Sequence, residues 1–118
     1  MRNIDSIVIH CSDSDWGDVT DIDKWHKERG WDGCGYHYVI TNGVTKAHAD
    51  YKAEADGLIQ NGRDVEKPGA HVRGHNKRSV GICLIGKHTF TGKQMYESLL
   101  NGNKTCPNFD VTLLRAVL

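Results

Sequence analysis

Short apolar runs alternate with polar stretches along this chain, and the alternation predicts a succession of strands and helices. Residues 7–11 (IVIHC) and 79–85 (SVGICLI) are continuous apolar runs, typical of strands buried on both faces of a sheet. Residues 36–40 and 44–47 flank Asn42-Gly43, the strongest short signal for a β-hairpin. The pattern therefore predicts two buried strands and one hairpin.

A first helix is predicted from Thr20 to about Gly30. Thr20 suits the N-cap, and Asp21 and Asp23 lie in the first turn, where carboxylates favour the positive end of the helix dipole. Ile22 and Trp25 fall on one face by their spacing. Gly30 is a suitable residue to end the helix.

The second half of the chain has weaker signals of secondary structure. Residues 50–78 show no clear periodicity, and a loop of this length in a small domain is usually functional or poorly ordered. A helix is predicted over 91–100 with Thr91 as its cap, and a last helix over 111–118, after Asp110.

Composition and charge narrow the range of functions. A chain of 118 residues is expected to form one domain. Its formal net charge is zero, so no basic surface for nucleic acid or an anionic membrane is predicted. The N-terminus lacks the apolar core of a signal peptide, and no run approaches a transmembrane length. Seven histidines raise the expectation of metal or proton chemistry.

The four cysteines have different settings. Cys11 and Cys83 lie in apolar runs and are interpreted as small buried hydrophobic residues. Cys34 lies between two glycines and is assigned no role. Cys106 follows a lysine-containing polar stretch and precedes Pro107, where a structural cysteine is less expected. A disulfide framework is the weaker interpretation, because no secretion signal accompanies the cysteines.

Two histidine patterns have both a structural and a functional interpretation. His10 closes a buried strand, so its ring would emerge at a sheet end, where α/β sheets place ligands; position alone favours a core histidine. His71 and His75 are four residues apart, which on a helix would make a metal-binding face. Pro68 and Gly74 favour a loop instead. Trp25 and Trp31 are interpreted as packing residues rather than sugar platforms.

The chain resembles the zinc-dependent N-acetylmuramoyl-L-alanine amidases of the phage-lysozyme type, relatives of the peptidoglycan recognition proteins. The resemblance covers most of the chain in the family's order. Each matching piece alone is weak evidence for the family, but five of them in the family's order are specific to it. The pieces are residues 7–12, residues 25–27 with Gly30-Trp31, residues 35–40, residues 69–76 with 79–86, and residues 104–110.

The resemblance implies a fold, a reaction and a set of site residues. The fold is α/β, a single domain with a mixed central sheet flanked by helices and a peptidoglycan groove over one sheet face. The reaction is hydrolysis of the amide between N-acetylmuramic acid and L-alanine by zinc-activated water. The implied roles are zinc ligand for His10 and Cys106, polarisation of the scissile carbonyl for Tyr36, oxyanion stabilisation for Lys104, and substrate binding for His71 and Asn76.

One departure from the family pattern concerns the metal site. The family carries more helix and a strand ending in a second zinc-binding histidine; here Leu100 runs through Asn-Gly-Asn into Lys104, and no histidine follows His88. The domain, residues 1–118, is therefore expected to lack a family segment between Leu100 and Lys104. Three explanations stay open: a deletion that cannot hold zinc normally, replacement by another histidine (His71, His75, His88, or one from a partner chain), or loss of an internal stretch from the sequence.

The leading functional hypothesis is a phage endolysin that degrades peptidoglycan at lysis. The chain is expected to be a monomer that stays in the host cytoplasm until lysis or holin release. Retention of Tyr36, Lys104 and Cys106 favours an enzyme, since a pure binder has little need of all three. The alternatives are an inactive peptidoglycan-binding module and a regulator that binds phage RNA polymerase. A mixed His/Cys ligand set suits zinc.

Overall fold

The chain forms a five-stranded sheet with helices packed against it. The computed structural model describes residues 2–105 and 110–113, with side chains through Gly102. The predicted α/β class is confirmed. The elements in chain order are β1 (Ser6–Cys11), α1 (Val19–Glu28), β2 (Tyr38–Asn42), a 3₁₀ turn (Ala53–Ala55), β3 (Asp56–Asn61), β4 (Ser79–Leu84), α2 (Gly92–Thr105) and β5 (Asp110–Leu113).

The sheet is mixed, with the strand order β3-β2-β4-β1-β5. Among the strand pairs of the described residues, only β2–β3 is antiparallel, and β4 runs parallel to both β1 and β2. The strand that follows Tyr36, β2, does not pair with β1, the strand that carries His10, because β4 lies between them. β1 and β4 are continuous apolar runs because they occupy the centre of a sheet that is covered on both faces.

Side chains alternate between two apolar clusters, one on each face of the sheet. Ile7 and Ile9 of β1 belong to one cluster together with Ile40, Val80, Ile82 and Leu84. The other cluster contains Ile22 of α1 together with Cys34, Tyr36, Val39, Cys83 and Ile85. Because neighbouring residues of a strand point to opposite faces, His10 lies on the same face as α1 and Tyr36. Cys11 and Cys83 are buried, as predicted, with exposed fractions of 4% and 0%.

The first helix begins two residues before the position that the sequence predicts. Asp18 is the N-cap, because its side chain accepts a hydrogen bond from the backbone N–H of Asp21 while the Asp21 carboxylate accepts from the backbone N–H of Asp18. This reciprocal capping box satisfies two backbone donors at once, whereas Thr20 lies within the helix. At the other end, Gly30 follows the helix in a left-handed conformation with φ of 87°, as predicted.

The predicted hairpin between residues 36–40 and 44–47 is wrong in its second strand. β2 pairs instead with β3, which lies within the stretch that the sequence predicts as a loop. β3 is at the sheet edge and exposes Leu58 and Ile59. Its sequence, DGLIQN, has no alternating apolar pattern because only part of an edge strand faces the core.

The end of the described chain also differs from the prediction. α2 extends to Thr105 rather than ending at Leu100, and residues 110–113 form β5, parallel to β1, instead of starting a helix. Thr91 does cap α2: its hydroxyl accepts from the backbone N–H of Gln94, while Gln94 Oε1 accepts from the backbone N–H of Thr91. In the described part of the chain, neither helix has the length and apolarity needed to cross a bilayer.

Candidate active site

His10 lies near the carboxyl end of β1, where it meets a second imidazole. Its side chain is 3% exposed, and its Nε2 atom lies 2.8 Å from Nδ1 of His71. The Tyr36 ring lies beside His10, with 5.2 Å between ring centroids. The structure thus brings together His10, Tyr36 and His71, three residues that the sequence predicts for the site.

The ring of His71 can approach His10 because glycine occupies the strand position beneath it. A Cβ atom on Gly81 would lie 2.5 Å from the nearest ring carbon of His71, and one on Gly69 would lie 2.5 Å from Cδ2. Any side chain at either position would collide with the imidazole. A glycine inside an apolar strand is a sequence signal for such a close contact, but Gly81 was not predicted as part of the site.

Hydrogen bonds to the second nitrogen of His71 fix its tautomer. Ser79 Oγ lies 3.2 Å from His71 Nε2 and also donates its proton to the carbonyl oxygen of His75, at 2.6 Å. Since the hydroxyl proton is committed to that carbonyl, Oγ accepts from an Nε2–H group. The Nδ1 atom of His71 therefore carries a lone pair and accepts a hydrogen bond from the N–H of His10 Nε2. Ser79 was not predicted as a site residue.

Asn76 holds the loop that carries His71. Its side-chain oxygen accepts hydrogen bonds from the backbone N–H groups of His71 and Val72, both at 3.0 Å. Arg2 anchors the same region, because its guanidinium donates to the carbonyl oxygens of Val65, Asn76 and Ser79, among others. The position of His71 thus depends on a side chain of its own loop, Asn76, and on Arg2, which is far away in sequence.

Burial keeps both paired imidazoles neutral at physiological pH. Desolvation lowers the pKa of His10 to about 4. Desolvation and then the proximity of His10 lower the pKa of His71 to about 3. Neutral imidazole is the form that binds metal ions, so neither histidine needs to lose a net charge before it binds one.

Tyr36 is buried and stays protonated. Its side chain is 4% exposed, and desolvation, followed by the nearby thiols of Cys83, Cys34 and Cys11, raises its pKa above its usual value. A tyrosine with a raised pKa donates a hydrogen bond rather than acting as a base.

Two further histidines near the cluster are occupied with backbone groups. His37 accepts from the Gly81 N–H through Nδ1 at 3.0 Å and donates from Nε2 to the carbonyl oxygen of Lys67 at 2.7 Å. His26 accepts from the Gly35 N–H through Nδ1 at 2.9 Å. With both of its nitrogens engaged, His37 has no free lone pair for a metal.

The structure does not test the two predicted site residues near the end of the chain. Lys104 lies on α2, with its side chain among those not described, and Cys106 lies outside the described residues. Within the described part of the chain, no group of three or more His, Cys, Asp or Glu side chains is arranged to hold a metal ion. The described donors that fit zinc are the paired nitrogens of His10 and His71, since neutral imidazole is a common zinc ligand.

The fold is shared with a class of cell-wall amidases. A structure of the N-acetylmuramoyl-L-alanine amidase LysC from Clostridium intestinale URNW superposes with a TM-score of 0.73 at 30% sequence identity, covering 95% of this chain and 70% of that one. The fold thus places the chain in the class of N-acetylmuramoyl-L-alanine amidases.

Sequence comparisons identify the family. The sequence model of the N-acetylmuramoyl-L-alanine amidase family (Amidase_2) matches residues 1–102. The endolysin of Enterobacteria phage K11 is 34% identical over 136 aligned positions, which cover 87% of this chain and 80% of the endolysin. The endolysin of Escherichia phage T7 is 37% identical over 95 positions, covering 78% of this chain and 54% of that endolysin. The chain belongs to the N-acetylmuramoyl-L-alanine amidase family and is a peptidoglycan hydrolase of the phage endolysin type.

Proposed function

We propose that this chain hydrolyses the amide between N-acetylmuramic acid and L-alanine with a zinc ion bound at His10. The observation that carries the proposal is the placement of a neutral, buried imidazole at the carboxyl end of β1, with its Nε2 atom directed at a second nitrogen donor and Tyr36 beside it. Zinc, when bound, supplies a water of lowered pKa and a Lewis acid for the carbonyl. Cys106 is proposed as a further ligand.

The other site residues are proposed to act on the substrate. Tyr36, which stays protonated, would donate a hydrogen bond to the scissile carbonyl and so favour attack at its carbon. Lys104 would place a positive charge near the developing oxyanion. Asn76 supports the loop that carries His71, and the substrate-binding roles of His71 and Asn76 stay predictions.

We further propose that the domain is shorter than that of its relatives, with a segment absent between Leu100 and Lys104. The K11 alignment supports this, because it has 136 positions whereas 87% of this 118-residue chain is aligned, so the K11 endolysin carries residues that this chain lacks. α2 continues as a helix from Leu100 to Lys104, which is consistent with a direct connection.

The test is a clearing assay on purified cell walls combined with end-group analysis. An amidase releases new amino groups of L-alanine without new reducing sugar ends, whereas a glycosidase does the reverse. His10→Ala and Cys106→Ser should abolish clearing, and His75→Ala, a change at an exposed histidine, should not. Clearing by both site variants at the parental rate would refute the zinc mechanism. Binding to walls without release of either end group would indicate the inactive binding module.

We also propose that the chain is a monomer that stays in the host cytoplasm until lysis or holin release. Binding of phage RNA polymerase is the remaining prediction about its partners. A pull-down with the cognate polymerase would test this binding.

A further inference from the structure

We propose that His71 is a zinc ligand in this chain and binds through Nδ1 in place of the second family histidine, a role that replaces the substrate contact predicted for it, because Ser79 occupies its other ring nitrogen. The inference rests on the proposed zinc function and names a residue that completes its ligand set. Three features of the described structure support it: the distance between the two imidazoles, the tautomer of His71, and the backbone hydrogen bonds that occupy the ring nitrogens of His26 and His37.

The distance between the two nitrogens is close to that of a shared metal ion. Zinc binds imidazole nitrogens at about 2.0–2.1 Å in tetrahedral geometry, which places two such nitrogens about 3.3 Å apart. His10 Nε2 and His71 Nδ1 are 2.8 Å apart, so an opening of about half an ångström would admit the ion. Because both nitrogens already face each other, rings and backbone need little rearrangement; His10 changes tautomer, moving the proton that Nε2 shares with His71 to its own Nδ1, so that both facing nitrogens offer a lone pair.

The hydrogen bonds at Nε2 prepare the other nitrogen of His71 for a metal. Metal-binding histidines usually donate the N–H of the second ring nitrogen to a protein acceptor, which fixes the tautomer and the ring orientation. His71 Nε2–H donates to Ser79 Oγ at 3.2 Å, and that hydroxyl is fixed in turn by the carbonyl oxygen of His75. The lone pair on Nδ1 then points at His10.

Three other histidines that lie near the cluster or in its loop are less suitable as the second zinc ligand. Both nitrogens of His37 are bonded to backbone groups, and Nδ1 of His26 accepts from the Gly35 N–H. His75 follows His71 by four residues, yet it is exposed, and its carbonyl rather than its ring takes part in the hydrogen bonds at Ser79. His75 therefore provides a matched control, since it is the same residue type in the same loop.

The first experiment measures zinc affinity by competition with a chromophoric chelator, using the full chain and the variants His71→Gln, His75→Gln and His10→Ala. We expect one zinc per chain, loss of binding in His10→Ala, an unchanged affinity in His75→Gln, and an affinity for His71→Gln weakened by more than about 100-fold. That loss would exceed the 10–100-fold cost of removing an outer-shell partner. Circular dichroism establishes that each variant is folded.

A second measurement does not depend on any variant. In the ¹⁵N NMR spectrum of the unsubstituted chain, zinc should shift the Nδ1 resonance of His71 while its Nε2 stays protonated. If zinc shifts His10 and leaves His71 unchanged, or if His71→Gln retains parental affinity, the role of His71 is refuted while the proposed function stands. If the unsubstituted chain takes up no zinc, the zinc mechanism fails together with this inference.

Discussion

The imidazole of His71 lies directly over Gly81, close enough that a single methyl group on Gly81 would displace it. Gly81 belongs to the central strand β4, which pairs with β1 on one side and β2 on the other. The absence of a side chain there creates the space in which His71 reaches His10. A residue without functional groups thus determines whether the candidate site can assemble.

Substitution of Gly81 by alanine should therefore disrupt the site and weaken the fold. The added Cβ would lie 2.5 Å from the His71 ring, and such overpacking typically costs about 1–3 kcal/mol. Urea denaturation should show a loss of about 2 kcal/mol, within that range, together with a loss of zinc uptake. Gly92→Ala is the control, because a Cβ at Gly92 meets nothing within 4 Å; equal losses in both variants would contradict the prediction.

Ser79→Ala should weaken zinc binding while the chain stays folded. The change removes the acceptor for His71 Nε2–H and leaves that N–H without its partner. Zinc affinity is expected to fall by about 10–100-fold, as for other losses of outer-shell partners. Ser98→Ala removes a buried hydroxyl from α2 that bonds only locally, to the carbonyl oxygen of Met95, and should leave zinc affinity unchanged. Parental affinity in Ser79→Ala would show that this hydroxyl does not orient the imidazole.

Arg2→Met should destabilise the chain far more than Arg78→Met. The guanidinium of Arg2 donates to carbonyl oxygens of two segments, at Val65 and at residues 76–79, and hydrogen bonds from a charged group contribute about 1.5–3 kcal/mol each. We expect a loss of about 3 kcal/mol in the free energy of unfolding. Arg78 pairs with Asp5 at the surface, where such pairs contribute less than about 1 kcal/mol. Similar losses in the two variants would contradict the anchoring role of Arg2.

Buried histidines should make the metal-free chain less stable as the pH falls. Desolvation, with a smaller contribution from Arg29, lowers the pKa of His26 from 6.5 to about 4, so below pH 6.5 the unfolded chain binds a proton that the folded chain does not. The stabilisation is complete above pH 6.5 and is lost as the pH falls towards 4. For His26 alone the loss between pH 7 and pH 5 is about 2 kcal/mol.

Urea denaturation in the presence of a chelator, at pH 7 and pH 5, checks this prediction. His26→Gln retains an acceptor for the Gly35 N–H but does not titrate, so its stability should fall less steeply over this interval than that of the parent. Identical slopes for the two chains would show that His26 does not contribute to the pH dependence.

Local signals in the sequence were sufficient for some elements and not for others. The runs around Ile9 and Ile82 predicted the central strands, because a strand buried on both faces must be apolar throughout. β3 and β5 were missed, since an edge strand such as β3 needs few apolar residues and the pairing of β5 with β1 is a contact between distant segments. The N-cap was misplaced by two residues because Asp18 and Thr20 both suit that position.

The sequence by itself determined the family, the α/β class and the residue types of the site, including His10 and Tyr36, because motifs and apolar periodicity are local properties. Only the tertiary structure decided that His71 faces His10, that Ser79 fixes its tautomer and that Gly81 makes room for it. Those relationships join β1, β4 and a loop more than 60 residues away from His10. They depend on the parallel register of β1 and β4 and on steric exclusion across the sheet, neither of which leaves a periodic signal in the chain.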